Sequence, residues 1–263
     1  DQYADNYNSN ATVDDGTCSG YPDNGEYALS FDASLSLPNG DGLSYVIKEG
    51  FQQPEGSFSI GGWFKNNGSD QTTIMSKRSS DAGGYFGWHL SYENDGSMGL
   101  YSQENTSNNI NRVTTEQIFN ELFHMVAVFE TGNSISLYVN GNLVSTTSTN
   151  LTSFSNDDAP LLISSLEVPG SWIWDGMIDD LFMYGRALND AEVQEIFSNN
   201  PSSLSNSLLA HWKFNSGSGD ILYDHSGNQA HGTIVGASWE LRNQSPVASA
   251  LTGTTSEDTD FSG

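Results

Sequence analysis

From Tyr27 to Met183 the chain is written in short runs of alternating apolar and polar residues, each cut off by Gly, Asn, Asp or Ser. The runs are "YALSFD", "SFSIGGWF", "TTIMSK", "GWHLSY", "MGLYS", "FHMVAVFE", "SISLYVNG", "LLISSL" and "GMIDDLFMYG". A period of two puts every second side chain on one face of a strand, so each run has an apolar side that another layer must cover. Short strands at close spacing with turn residues between them make a two-sheet antiparallel sandwich. In "ISLYVNGNLVST" the pair Asn140-Gly141 separates two alternating runs, as a tight primed hairpin turn requires. One helix is predicted. Asn189 precedes "DAEVQEIF" with Glu192 three residues on, a side-chain cap and its reciprocal acid, and Asp190 suits the positive helix start. Pro201 closes that unit, and the fold class is all-β with one short C-terminal helix.

The length of 263 residues allows one large all-β domain plus extensions. Residues 1–24 hold almost no core-forming side chains and read as a loop or linker. Their Asn/Asp density suggests a calcium loop, but the spacing does not match the alternating oxygen ligands and terminal Glu of an EF-hand. Cys18 is the single cysteine, either a plain thiol or one whose disulfide partner lies before residue 1. The main domain is placed at 25–203. In 204–242, "LLAHWKF" and "TIVGASWEL" read as two strands, and since two strands alone are marginal in water they are expected to add to the sandwich. Residues 243–263 lack large apolar side chains and read as a linker into another module.

Charge narrows the partners. There are 33 Asp plus Glu against 8 Lys plus Arg, a formal net charge of -25. Phosphate binding rests on clustered Lys and Arg, so nucleic acid and anionic membrane are excluded as partners. No apolar run approaches the roughly 20 residues that cross a bilayer, and no signal peptide is legible. The same imbalance bears on Asp179 and Asp180, adjacent in the most hydrophobic strand, "MIDDLF". Alternation sends one of them toward the core side, where a carboxylate needs a partner, and with so few basic residues a metal ion is the expected substitute.

No Gly-x-Ser-x-Gly elbow, phosphate loop or His-Glu-x-x-His helix is present. His225 and His231 sit six apart in a Gly/Asn loop and read as solvated, and "YEND" at 92–95 reads as a hairpin turn. Binding chemistry is better represented. Sugar recognition needs aromatic faces for the apolar side of a pyranose, with carboxylates and amides for its hydroxyls, on loops held by a rigid scaffold. "EVPGSWIWDG" supplies Trp172 and Trp174 on one face of an extended segment, with Asp175 beside them, and "AGGYFGWHL" supplies Tyr85 and Trp88. The competing reading is that these rings fill the core.

"ALSFDASLSLPNG", "GSFSIGGWFK", "TTIMSKR", "ELFHMVAVFETGNSISLYVNGNLV" and "GMIDDLFMYGRALNDAEVQEIF", in this order, resemble the laminin G-like domain of the concanavalin A-like jelly-roll superfamily over residues 26–200. The resemblance implies two facing antiparallel sheets and binding of carbohydrates or proteins, often with calcium. It further implies a structural calcium where the first strand meets the "IDD" strand, held by Asp180 with Asp32, leaving Asp179 toward solvent. The alternative is that Asp180 caps the Arg186 turn or accepts backbone N–H groups. A second calcium at the ligand rim would draw on Asp95 or Asp175, with Asp81, Asp157 and Asp158 as further candidates. The superfamily's hydrolases carry Glu-x-Asp-x-x-Glu on one strand, which this sequence lacks. The flanking segments resemble parts of large secreted bacterial proteins, the first an Asp/Asn-rich repeat and the last the opening of a cadherin-like repeat. Together these imply an extracellular, calcium-dependent module of a bacterial adhesin whose partner is a glycan or a cell-surface protein, with neighbouring domains in the same chain. A calcium-stabilised spacer without ligand is the alternative reading, and a glycan-degrading enzyme the more distant one.

Overall fold

A computed structural model describes residues 1–13, 20–35, 43–68, 70–81, 84–103, 111–114, 121–153, 158–166, 171–199, 201 and 204–242. Cys18, Asp157 and residues 243–263 lie outside that set, as do the side chains of Asp81 and Tyr85.

Among the described residues the alternating runs become two antiparallel sheets of eight strands each. Sheet one runs β10 (Asn142–Ser148), β9 (Ser134–Val139), β8 (Phe123–Glu130), β3 (Phe58–Asn66), β12 (Gly176–Tyr184), β1 (Tyr27–Phe31) and β16 (Ser238–Leu241), with β13 (Leu208–Trp212) also paired to β12. Sheet two runs β14 (Ile221–Leu222), β15 (Gly232–Val235), β2 (Tyr45–Lys48), β11 (Leu161–Ile163), β4 (Thr72–Asp81), β5 (Gly84–Tyr92), β6 (Met98–Gln103) and β7 (Asn111–Thr114). Inward residues of both sheets, among them Leu29, Phe31, Phe58, Phe64, Trp88, Leu90, Leu100 and Trp212, form one continuous core. Asn140 and Gly141 both have positive φ, 47° and 78°, as the hairpin reading requires.

Helix α1 (Asp190–Ser198) is capped as its sequence indicates: Asn189 accepts from the Glu192 N–H while the Glu192 side chain accepts from the Asn189 N–H. Val193 and Ile196 lay the helix on the outer face of sheet one, against Val126, Val128, Phe182 and Tyr184. Removing the cap with Asn189→Ala is expected to lower stability by about 1 kcal/mol, checked by urea unfolding; an unchanged midpoint would show that the helix is held by packing alone.

The segment 208–241 is woven into both sheets. "TIVGASWEL", read as one strand, is two: Gly236 adopts φ 72°, and a Cβ there would lie 1.7 Å from the Leu43 carbonyl oxygen. The chain turns at that glycine, sending β15 to β2 in sheet two and β16 to β1 in sheet one. Residues 1–13 and 20–24 pack against this region, with Tyr21 stacked on Tyr223 at 5.6 Å and Tyr3 edge-on to His231 at 5.4 Å. His231 therefore differs from the solvated reading: its ring is packed edge-on to Tyr3, Tyr21 and Tyr223, and its Nε2 reaches Asp1 at 2.5 Å. His225 is half-buried against Tyr21, and burial first, then nearby positive charge, lowers its pKa to about 4.

Candidate functional site

Register decides which acids meet. Phe31 pairs with Gly176, so Asp32 and Asp175, the next residues outward on β1 and β12, adjoin at one end of the sandwich. The β3–β4 loop reaches the same place: the Asn67 N–H donates to the Asp175 carbonyl at 2.8 Å, and a Cβ on Gly68 would meet Asp175 Oδ2 at 2.8 Å. Burial raises the pKa of Asp175, and the carboxylates of Asp32 and Asp70 raise it further by repulsion. Asp70, which the sequence reading did not single out, thus belongs with the two acids it did. Among the described residues no three His, Cys, Asp or Glu side chains close on one point as a ready-made metal cage.

Asp180 lies elsewhere. It is five residues past Asp175, about 16 Å along the strand at roughly 3.3 Å per residue, so the structure does not bring Asp32 and Asp180 together as expected. Asp180 instead accepts or shares a proton with His211, Nε2 to Oδ1 at 2.6 Å. It does not cap the Arg186 turn either, since Arg186 is held by Glu192 at 2.8 Å. Asp179, expected at the solvent face, is 4% exposed and paired with Arg242 at 2.7 Å. The reason is a bulge: Asp180 takes φ 49°, pairing with β3 shifts between Asp179 and Phe182, and the alternation is reset. The partner of the inward carboxylate is an arginine sixty-three positions downstream, which spacing within the strand could not disclose.

The aromatic candidates separate. Trp172 is 44% exposed, at φ 53°, with its carbonyl accepting from the Thr73 N–H at 2.6 Å. This left-handed residue breaks the alternation on which a shared Trp face depended. Trp174 is fully buried, edge-on to Phe64 and Tyr92 at 6.4 and 6.0 Å. Trp88 also belongs to the core, packed on Phe58 at 5.4 Å with its N–H donated to Gln53 at 2.9 Å. For Trp174 and Trp88 the core reading is the correct one. Asp95 occupies the β5–β6 hairpin and accepts from the Ser97 N–H and hydroxyl at 2.9 and 2.6 Å. Asp158 is exposed.

Sheet two carries a feature that the sequence reading missed. Trp88 and Leu90 point into the core, so His89 points outward, where it stacks on Tyr101 at 4.9 Å with the rings 6° from parallel. Burial, then the Arg78 charge, pushes the His89 pKa down to about 3, leaving a neutral ring pair. The available signal was the outward register of "WHLSY" against "GLYSQ", which a reading of single strands does not align.

Two antiparallel sheets face to face, with a capped helix on one outer side, define a concanavalin A-like jelly roll. The model of the concanavalin A-like lectin/glucanases superfamily, in its laminin G form, matches residues 32–194, more than half of the chain, and the chain belongs to that family. A protein from Bacteroides ovatus ATCC 8483 to which carbohydrate binding is ascribed is similar over 86% of this chain, with 15% identity and a TM-score of 0.62. The match covers 62% of that protein, so this chain corresponds to less than two thirds of its length. The native heptameric SAP-like pentraxin of Limulus polyphemus matches 67% of this chain and 84% of its own, with 16% identity and a TM-score of 0.52. At such identities the likeness is one of fold. No curated protein matches the chain in sequence. Among the described residues no helix is long and apolar enough to cross a membrane.

Proposed function

We propose that this chain is an extracellular ligand-binding module that takes a glycan at the end of the sandwich, with calcium, as part of a larger bacterial surface protein. The observation that carries this reading is Trp172, exposed and held in a left-handed conformation three residues before Asp175, with its carbonyl bonded to Thr73, three residues past Asp70. An exposed ring supplies the flat apolar face that a pyranose stacks on, and carboxylates accept its hydroxyls. The carbohydrate-binding role ascribed to the Bacteroides ovatus protein supports the ligand class. A binding module rather than an enzyme fits a sequence with no Glu-x-Asp-x-x-Glu strand.

Calcium suits this end of the fold because mutually repelling carboxylates are hard oxygen ligands that a divalent cation neutralises. Asp32, Asp70 and Asp175 would hold it. Since they do not by themselves form a closed cage, backbone carbonyls and water would complete the six to eight oxygens that calcium takes. When bound, the ion supplies charge neutralisation and order to the loops that carry Trp172.

The test is thermal unfolding with millimolar calcium and with EDTA. Calcium is expected to raise the midpoint of the wild type, to have little effect on Asp175→Asn, and to keep its full effect on Asp180→Asn. Loss of the calcium response in Asp180→Asn alone would move the ion to the "IDD" strand, and no response in the wild type would remove calcium from the account.

A further inference from the structure

Strand β12 changes partner halfway along. Met177 and Ile178 pair with β1, whereas Leu181 to Tyr184 pair with β13, and Asp179 and Asp180 fall at the change. β1 with its neighbour β16 runs to one side of this fork and β13 to the other. A cleft of about 470 Å³ opens between them, on the side of the sandwich that also carries α1. It is separate from the Trp172 end: Asp180 and Asp175 are divided by the length of strand given above.

The walls of the cleft are polar, and their charges are already matched in pairs. Asp179 is tied to Arg242, and Asp180 to His211. Arg242 is held in place twice more, with its guanidinium over the Trp63 ring at 5.2 Å and its main-chain N–H donated to the Glu26 carbonyl at 2.9 Å. The main chain at His211 is held by Asp224, which is fully buried and accepts the His211 main-chain N–H at 2.8 Å. Main-chain bonds thus anchor both residues, and the ion pairs direct their side chains. Beside them stand groups with capacity to spare. The Lys213 ammonium makes no hydrogen bond or ion pair among the described residues, in a chain where acids outnumber Lys and Arg by 33 to 8. The Asn215 Oδ1 is buried without a hydrogen-bond partner among the described residues. The carboxylates of Asp23 and Glu26 complete the lining, with the Tyr27 ring.

We infer that the fork is a second binding site, for a neutral polyhydroxylated ligand of the size of one or two sugar units. The volume is within the range of small-molecule sites, which run from about 300 to 1,000 Å³. The lining selects the chemistry. An anionic ligand drawn to Lys213 and Arg242 would face Asp23, Glu26 and the Asp179–Asp180 pair, and a cationic ligand drawn to the acids would face the two bases. A neutral polyol meets neither conflict. Each hydroxyl both donates and accepts, so it can give to a carboxylate or to the Asn215 oxygen and take from Lys213, and hydrogen bonds to ionised groups are the stronger kind.

The claim does not depend on the Trp172 reading, and one experiment separates the two. Backbone amide shifts of the isotope-labelled full chain are followed during titration with D-glucose, D-galactose, D-mannose and D-xylose, and in parallel with D-glucuronate and D-glucosamine. At least one neutral sugar is expected to shift amides in 179–180 and 211–215. Lys213→Met, a surface substitution that keeps the apolar stem, is expected to weaken that binding about tenfold with an unchanged melting temperature, and Trp172→Ala to leave it intact. The inference is overturned if no neutral sugar moves these amides, if shifts appear only around Trp172, if Lys213→Met has no effect, or if glucuronate or glucosamine binds there more tightly than every neutral sugar.

Discussion

Trp174→Ala is expected to lower the unfolding free energy by about 3–5 kcal/mol, the range for deleting a large aromatic from a core, whereas Trp172→Ala is expected to change it by less than about 0.5 kcal/mol. The two residues are neighbours but one apart in a segment of uniform composition, and only their surroundings differ. Trp174 is enclosed between Phe64 and Tyr92, with its N–H donated to the Met177 carbonyl at 3.3 Å, so truncation leaves a cavity and an unused acceptor. Trp172 is 44% exposed, and the hydrogen bond it makes to Thr73 uses its main-chain carbonyl, which alanine retains. Denaturant midpoints of the two variants check this directly. Similar losses for both would mean that the Trp172 ring is a structural support, and the ligand reading would lose its anchor.

Arg242→Ala is expected to destabilise the fold by about 1 kcal/mol more at pH 8 than at pH 5, the cost of about one pKa unit of proton uptake by the Asp179 carboxyl it leaves unpaired. Burial pushes the Asp179 pKa up to about 7, against the opposing pull of Arg242, with Asp180 and Glu26 adding repulsion. The carboxyl is thus raised above the value near 3.8 that it has when unfolded. Between about pH 4 and pH 7 the folded state keeps a proton that the unfolded state has lost, so this group's contribution is most favourable at low pH and declines as pH rises through 7. Deleting the guanidinium raises the carboxyl further, so that at pH 8 the folded variant must hold a proton that the paired carboxyl has largely released, while at pH 5 the group is neutral in either protein. Asp179→Asn should therefore rescue Arg242→Ala at pH 8. Melting curves at the two pH values decide it: an equal loss at both would show that Arg242 acts by packing on Trp63 and not by charge.

The histidines run in the opposite direction. Burial leads the shifts that carry His89 to about 3 and His124 and His225 to about 4, all below the ordinary 6.5. The unfolded chain then binds more protons than the folded one below about pH 6.5, and stability falls as pH drops from 6.5 toward 4. The Asp179→Asn comparison is needed to separate these opposed slopes.

What could be read from the sequence followed from local rules. Alternation located the central strands, Asn140-Gly141 the hairpin, and Asn189 with Glu192 the helix start, because each signal lies within a few residues of its consequence. The failures were of two physical kinds. Alternation was extrapolated through residues with positive φ, so Trp172 and Trp174 were placed on one face, and Asp179 on the wrong side of the bulge at Asp180. Partners distant along the chain were also invisible. Arg242 reaches Asp179, and His211 reaches Asp180, only because the segment after the helix returns along one edge of β12, as β13 paired to it and as β16 beyond β1, and no spacing within a strand encodes that return. The gathering of Asp32, Asp70 and Asp175 has the same origin, since it depends on the register of β1 against β12 and on the β3–β4 loop. The small strand β2 was overlooked because "YVIK" offers only four residues, yet it links β11 to β15 in the middle of sheet two.

The central claim, a glycan held at the Trp172 end, is tested most directly on a glycan array probed with the wild type and with Trp172→Ala, in millimolar calcium and again in EDTA. The account expects a defined set of glycans bound by the wild type in calcium, lost in EDTA and lost in Trp172→Ala, while the variant keeps the wild-type melting temperature. Binding that survives Trp172→Ala undiminished, or a wild type that binds nothing on the array, would contradict it and favour a spacer domain in a longer surface protein.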